Sequence, residues 1–188
     1  MDVTRRRVLV GTLIGSPLLS GCLDGAVRPP TASRGAADGD ELVEYETASY
    51  TVNAGETRAK AVHSRAAAVD VIGDAMAEAD LEEFVDATDF DRAVIVFVQA
   101  RGPNLCYDLE LETVEVDTAG LRVEVSVVDT AEPGELCAEQ IHYPTLLVRA
   151  VFEDAARERG TVTVTDADGE VWEFPYDPDA NSDAPDDG

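Results

Sequence analysis

The chain has 188 residues and a formal net charge of -25, from 39 acidic and 14 basic side chains; this allows one domain plus appendages and excludes a nucleic-acid binder with a basic footprint. Because 45% of the residues are hydrophobic, a core can form and a chain disordered throughout is excluded too. Lys60 is the only lysine and the acids run through the whole length, which fits adaptation to high salt, where the Debye length shrinks to roughly 3 Å at 1 M, better than a clustered cation-binding surface.

In chain order, the first element is an address. Arg5 and Arg6 form a twin-arginine pair ahead of an apolar run from Val8 to Leu19. That run is too short to span a bilayer as a mature helix. A charged start followed by a short apolar stretch is the order of an export signal, and twin arginines point to the Tat route. The run ends in Leu19-Ser20-Gly21-Cys22, which resembles a lipobox. The resemblance implies cleavage before Cys22 and a lipid on its thiol. Residues 1–21 are therefore expected to be a signal peptide. Cys22 is expected to hold the chain to membrane lipid, on the outer face of the cell. Beside this signal, the salt-adapted composition looks haloarchaeal.

Residues 22–40 are rich in Gly, Ala, Pro and Ser, without an apolar period, and read as a lipidated flexible tether. Residues 177–188 are Pro- and Asp-rich and read as a disordered acidic tail. Residues 41–176 are expected to be the domain. Val43–Glu46 and Tyr50–Val52 suggest a first strand, with Thr57–His63 as its hairpin partner across Asn53-Ala54-Gly55. Asp70–Val85 is helix-like, with Ile72, Met76, Leu81 and Phe84 apolar; Gly73 weakens its start, so Ala75–Val85 is the firmer segment.

Strong strands follow. Arg92–Ala100 is nearly all apolar and β-branched, as a strand buried on both faces should be. Cys106–Val116 alternates apolar and acidic residues, with a shift between Leu111 and Val114 that suggests a bulge. Leu121–Val128 alternates cleanly after the turn Asp117–Gly120. Ile141–Phe152 is a further strand, entered or kinked at Pro144. Thr161–Thr165 and Glu170–Phe174 should pair through Asp166-Ala167-Asp168-Gly169. The pattern predicts a mainly β domain, an antiparallel sandwich or partly open barrel with one short helix. There is no internal repeat.

With Cys22 taken by lipid, Cys106 and Cys137 remain, an even number in an oxidising location. A disulfide between them is expected, with two free thiols as the alternative. A blue-copper site needs two histidines, a cysteine and usually a methionine. His63, His142, Cys137 and Met76 lack that closely spaced arrangement, and zinc on Cys106, Cys137 and His142 has poor spacing. Ser64, Ser126 and Thr145 stand in no nucleophile motif, and there is no phosphate-cradling glycine loop. No metal, cofactor or enzymatic activity is expected. His142 reads as a polar strand residue and Trp172 as a core-edge aromatic.

One stretch carries a resemblance. Asp89-Phe90-Asp91 precedes the apolar strand Ala93–Val98. The turn Arg101-Gly102-Pro103-Asn104-Leu105-Cys106-Tyr107 opens the next strand, and Tyr143-Pro144 leads into Leu146-Leu147-Val148. Over roughly Leu81–Val151 this is similar to the PrcB C-terminal domain family, found in exported lipoproteins, whose namesake is an accessory subunit of a surface protease complex. Leu105-Cys106 stand where paired glycines are usual in that family. The resemblance implies a non-enzymatic β domain that binds another protein, with an exported protease as the partner class it suggests. The candidate surface is Gly102, Asn104, Tyr107, His142 and Tyr143, on the turn and on the loop from Ala131 to His142 that the disulfide would join. The alternative is an extracellular solute or metal carrier, which would need His63, His142 and a cysteine to converge.

Overall fold

The computed structural model describes residues 42–177. The expected signal peptide with Arg5 and Arg6, the expected lipidation site Cys22, the expected tether over 22–40 and the greater part of the expected tail lie outside them. Ala93–Gln99 (β3) fulfils its apolar sequence: all seven of its residues are buried. Two layers achieve this. Val94, Val96 and Val98 point to one core, and Ile95 and Phe97 to another on the opposite face.

The sheet around β3 has the order β1-β6-β3-β2 and is antiparallel throughout, with β1 Leu42–Val52, β2 Arg58–Val62 and β6 Tyr143–Phe152. A second sheet has the order β4-β5-β7-β8, with β4 Tyr107–Asp117, β5 Gly120–Asp129, β7 Gly160–Thr165 and β8 Val171–Tyr176. The sheets pack face to face and do not close into a barrel. Leu121, Val123, Val125 and Val127 of β5, with Val162 and Val164 of β7, meet the even-numbered residues of β3 and β6. Their alternation places the polar residues of β5 on the outer face. The bulge expected in β4 is present, between Leu111 and Thr113. The β7–β8 hairpin forms as expected, and Trp172 sits opposite Val164 at the sheet edge.

Three expectations need correction. β1 and β2 are not a hairpin; they lie at opposite edges of their sheet, with β6 and β3 between them. Loop 53–57 therefore crosses the end of the sheet. The second sheet is mixed, because β5 and β7 run parallel. Helix occurs in two pieces, α1 (Arg65–Ile72) and α2 (Ala79–Asp86), joined by a 3-10 turn over Gly73–Ala77. Ser64 caps α1, its hydroxyl accepting from the Ala67 N–H at 3.2 Å. Gly73 ends α1 at a φ of 61°, where a side chain would be strained.

The helices cover the other face of the first sheet. Ala68, Ile72, Leu81, Phe84 and Val85 close over Ala48, Tyr50, Val62, Phe97 and Leu147. The order of layers is thus helices, sheet, sheet. Within the helical layer, Arg149 of β6 stands opposite Glu46 of β1 and pairs with its carboxylate. Its guanidinium also donates to the Phe84 carbonyl at 3.1 Å and the Thr88 hydroxyl at 3.3 Å, and lies over the Phe84 ring. Among the described residues no helix is long and apolar enough to cross a membrane.

Candidate functional site

The strand register brings one set of loops to a single end of the sandwich. β1 finishes there at Val52, β3 at Gln99 and β5 at Asp129, while β2 begins at Arg58, β4 at Tyr107 and β6 at Tyr143. Segments 53–57, 100–106 and 130–142 therefore neighbour one another. Gly102 and His142 form an isolated antiparallel bridge. The Gly102 N–H donates to the His142 carbonyl at 2.9 Å and the return bond is 3.3 Å. Further out, the Leu105 N–H donates to the Ala138 carbonyl at 3.2 Å. The Cys106 carbonyl accepts from both the N–H and the hydroxyl of Thr130, each at 2.7 Å. Cys106 and Cys137 are bonded as a disulfide. An otherwise irregular loop is thus tied to the 101–106 turn along its length.

The candidate surface residues divide by role. Asn104 shapes the turn: its side-chain oxygen accepts from the Cys106 N–H at 2.9 Å, an Asx turn. His142 is only 4% exposed. Its Nε2 lies 2.9 Å from the Tyr107 carbonyl, so that nitrogen carries the proton and donates. Nδ1 is buried without a partner. The ring packs against Gly102, where an added Cβ would come within 2.4 Å of Cε1. His142 therefore holds the two loops together from inside and presents little to a ligand. Tyr107 and Tyr143 are half-buried; Tyr107 leans on the inter-sheet core.

Gly102→Ala is expected to push the His142 ring into packed neighbours and cost about 1–3 kcal/mol. Chemical denaturation in molar salt measures this. His142→Ala in the same chain should recover part of the loss, because the collision is then gone.

Sequence reasoning missed the residues at this end that are most open to solvent. Leu136 is 96% exposed, Leu105 47% and Ile141 45%. They flank the disulfide on both of the segments it joins. Glu132, Glu135 and Glu139 stand exposed in the same loop. A signal existed: Leu136 and Ile141 are large apolar residues in a Glu-, Gly- and Pro-containing loop with no period that would bury them.

His63 follows β2 at the opposite end of the sheet from His142, against the Tyr176 ring with centroids 6.2 Å apart. Burial lowers the pKa of its imidazole and Glu158 opposes that shift. Among the described residues, His63 and His142 stand at opposite ends of the sheet and Cys106 and Cys137 are bonded to each other, so the convergence of two histidines and a thiol required by a metal carrier is not formed there. Among the described residues no group of three or more His, Cys, Asp or Glu side chains is placed to hold a metal.

No family model, no curated protein and no solved structure matches this chain. The resemblance noted above therefore stands on its residues alone. In the fold these occupy consecutive places: Asp89-Phe90-Asp91 precedes β3, the Arg101–Tyr107 turn joins β3 to β4, and Tyr143-Pro144 opens β6.

Proposed function

We propose that this chain is a lipid-anchored, non-enzymatic module displayed on the outer face of a membrane in high salt, where it binds another protein through the disulfide-tied end. The observation that carries this reading is the trio Leu105, Leu136 and Ile141, large apolar side chains exposed on two segments that a disulfide and backbone hydrogen bonds hold together. A rigid loop loses little entropy on binding, which is where protein interfaces gain affinity. Large apolar side chains exposed on neighbouring segments are the surface that a protein contact would cover.

Salt bears on the chemistry of the partner. At molar salt exposed charges are screened, while apolar contact is not weakened in the same way. The partner should therefore offer an apolar patch. Glu132, Glu135 and Glu139 around the trio are exposed and screened in the same salt, so they keep the loop hydrated and add little to partner choice. An exported protease complex is the partner class that the resemblance suggests. The twin arginines, the apolar run and Cys22 support export and anchoring. The acid excess supports a briny exterior.

Two variants test this. Cys22→Ser should move the chain from the membrane fraction into the medium. Leu136→Asp, in the anchored chain, should abolish the co-purification of a stoichiometric partner from membranes in molar salt. If wild type and Leu136→Asp recover the same proteins in the same amounts, the disulfide-tied end is not the docking surface.

A further inference from the structure

A second feature at the same end faces the helical layer. Register places Tyr50, Thr145, Gln99 and Arg58 in one row across the first sheet, one residue from each strand. The next row inward is Ala48, Leu147, Phe97 and Lys60, and its first three members are buried apolar residues. A polar row this deep is costly unless every group is satisfied. Most of it is. The Gln99 side-chain N–H donates to the Thr145 hydroxyl at 3.1 Å, and that hydroxyl donates to the Tyr143 carbonyl at 3.3 Å. Burial pushes the Tyr50 hydroxyl up to about 12, so it stays protonated.

Two groups are left over. The side-chain oxygen of Gln99, a residue 3% exposed, is buried with no hydrogen-bond partner. Arg58 lies over the Phe97 ring at 5.1 Å and forms no ion pair among the described residues, in a chain with 39 acidic side chains. Above this row is a cavity of about 330 Å³. Its other walls are the apolar side chains of Val52, Val71 and Ile72 and the exposed loop bearing Gly55 and Glu56. Glu56 likewise has no ion-pair partner among the described residues. The Gly55 backbone lies over the orphan oxygen, where an added Cβ would come within 2.6 Å of it. Gln99 itself lines the cavity, and a ligand reaching its oxygen requires the Gly55 loop to move outward.

We propose that this cavity binds a small zwitterionic solute of amino-acid size, with its carboxylate on Arg58 and its ammonium on Glu56 and the Gln99 side-chain oxygen. The match is in chemistry. The cavity offers one unpaired cation, one unpaired anion and one buried acceptor that needs a donor, beside an apolar wall. Arg58 holds a carboxylate through its planar fork. The ammonium supplies the donor that Gln99 lacks. Val52, Val71 and Ile72 favour a short aliphatic side chain. The cavity is lined by other residues than the disulfide-tied surface, and the proposal does not depend on the protein-binding reading.

Calorimetric titration of the lipid-free domain in molar potassium chloride decides the matter, using valine, isovalerate and isobutylamine. Valine should bind saturably, and the two singly charged analogues should bind on the order of tenfold more weakly, since each lacks one charge-assisted contact. Arg58→Gln and Glu56→Gln, both at exposed positions, should each weaken valine binding by about tenfold with the far-UV circular dichroism of the folded domain unchanged. Absence of saturable valine binding would overturn the proposal. So would equal binding of valine and either analogue, or an Arg58→Gln variant that binds like the parent.

Discussion

Replacing Arg149 by methionine should cost the fold about 3–5 kcal/mol, the expected penalty for breaking a buried ion pair by removing one partner. The guanidinium and the Glu46 carboxylate lie beneath α2, with side chains only 13% and 11% exposed. Methionine fills most of the volume but leaves Glu46 charged in a site that water reaches poorly. It also removes the donor to the Phe84 carbonyl near the end of α2 and the cation stacked on the Phe84 ring. The hydroxyl of Thr88 still reaches that carbonyl at 2.8 Å, so α2 keeps one tie at its end. The double variant Arg149→Met with Glu46→Leu should recover most of the loss, because a well-packed apolar pair often equals a buried salt bridge. Urea unfolding of both variants in the same salt measures the difference. A single variant within about 1 kcal/mol of the parent would show that this pair is worth no more than a surface one.

That pair also shows where sequence reading stops. Glu46 and Arg149 are 103 residues apart, and nothing local to either says that they face each other. Local signals were sufficient where a strand's environment is written along its own length. The unbroken apolar run of β3 announced burial on both faces, and the alternation of β5 announced a single buried face. The β4 bulge showed as a slip in the alternation between Leu111 and Val114. Pairing order is not written that way. Val52 and Arg58 are close in sequence, so a hairpin was the economical reading, yet β6 and β3 enter between their strands from far along the chain. The parallel β5–β7 pair has the same origin, because no turn signal encodes it. The start of α1 was legible in principle: Ser64 stands just before an Ala-rich run, and its hydroxyl caps the helix. At the candidate site, the cysteine pair and the two segments it joins were legible. The buried role of His142 was not, since its ring is placed by Gly102 and Tyr107, 40 and 35 positions earlier in the chain.

The second large effect belongs to the disulfide. Cys106→Ser with Cys137→Ser should lower stability by roughly 3–4 kcal/mol, from the chain entropy restored when a closed loop of this length is opened in the unfolded state. Cys106 and Cys137 are 31 positions apart, with the whole of β5 between them. Because β5 is held on both sides by β4 and β7, its own pairing does not need the crosslink. Loosening in the folded state should therefore be confined to loop 130–142. That loop keeps its backbone bonds to Gly102, Leu105 and Cys106 and the side-chain bonds of Thr130, Gln140 and His142 near its two ends, while Leu136 remains in solvent. Limited proteolysis should cut the double-serine variant between residues 131 and 141 and leave the parent intact there, with far-UV circular dichroism unchanged. The same variant should capture the proposed partner more weakly than the parent, because a mobile loop must be ordered when it binds. Should the loop stay as protected as in the parent while stability falls, the crosslink acts on the unfolded chain alone and does not preorganise Leu136 and Ile141. The docking surface would then need another source of rigidity.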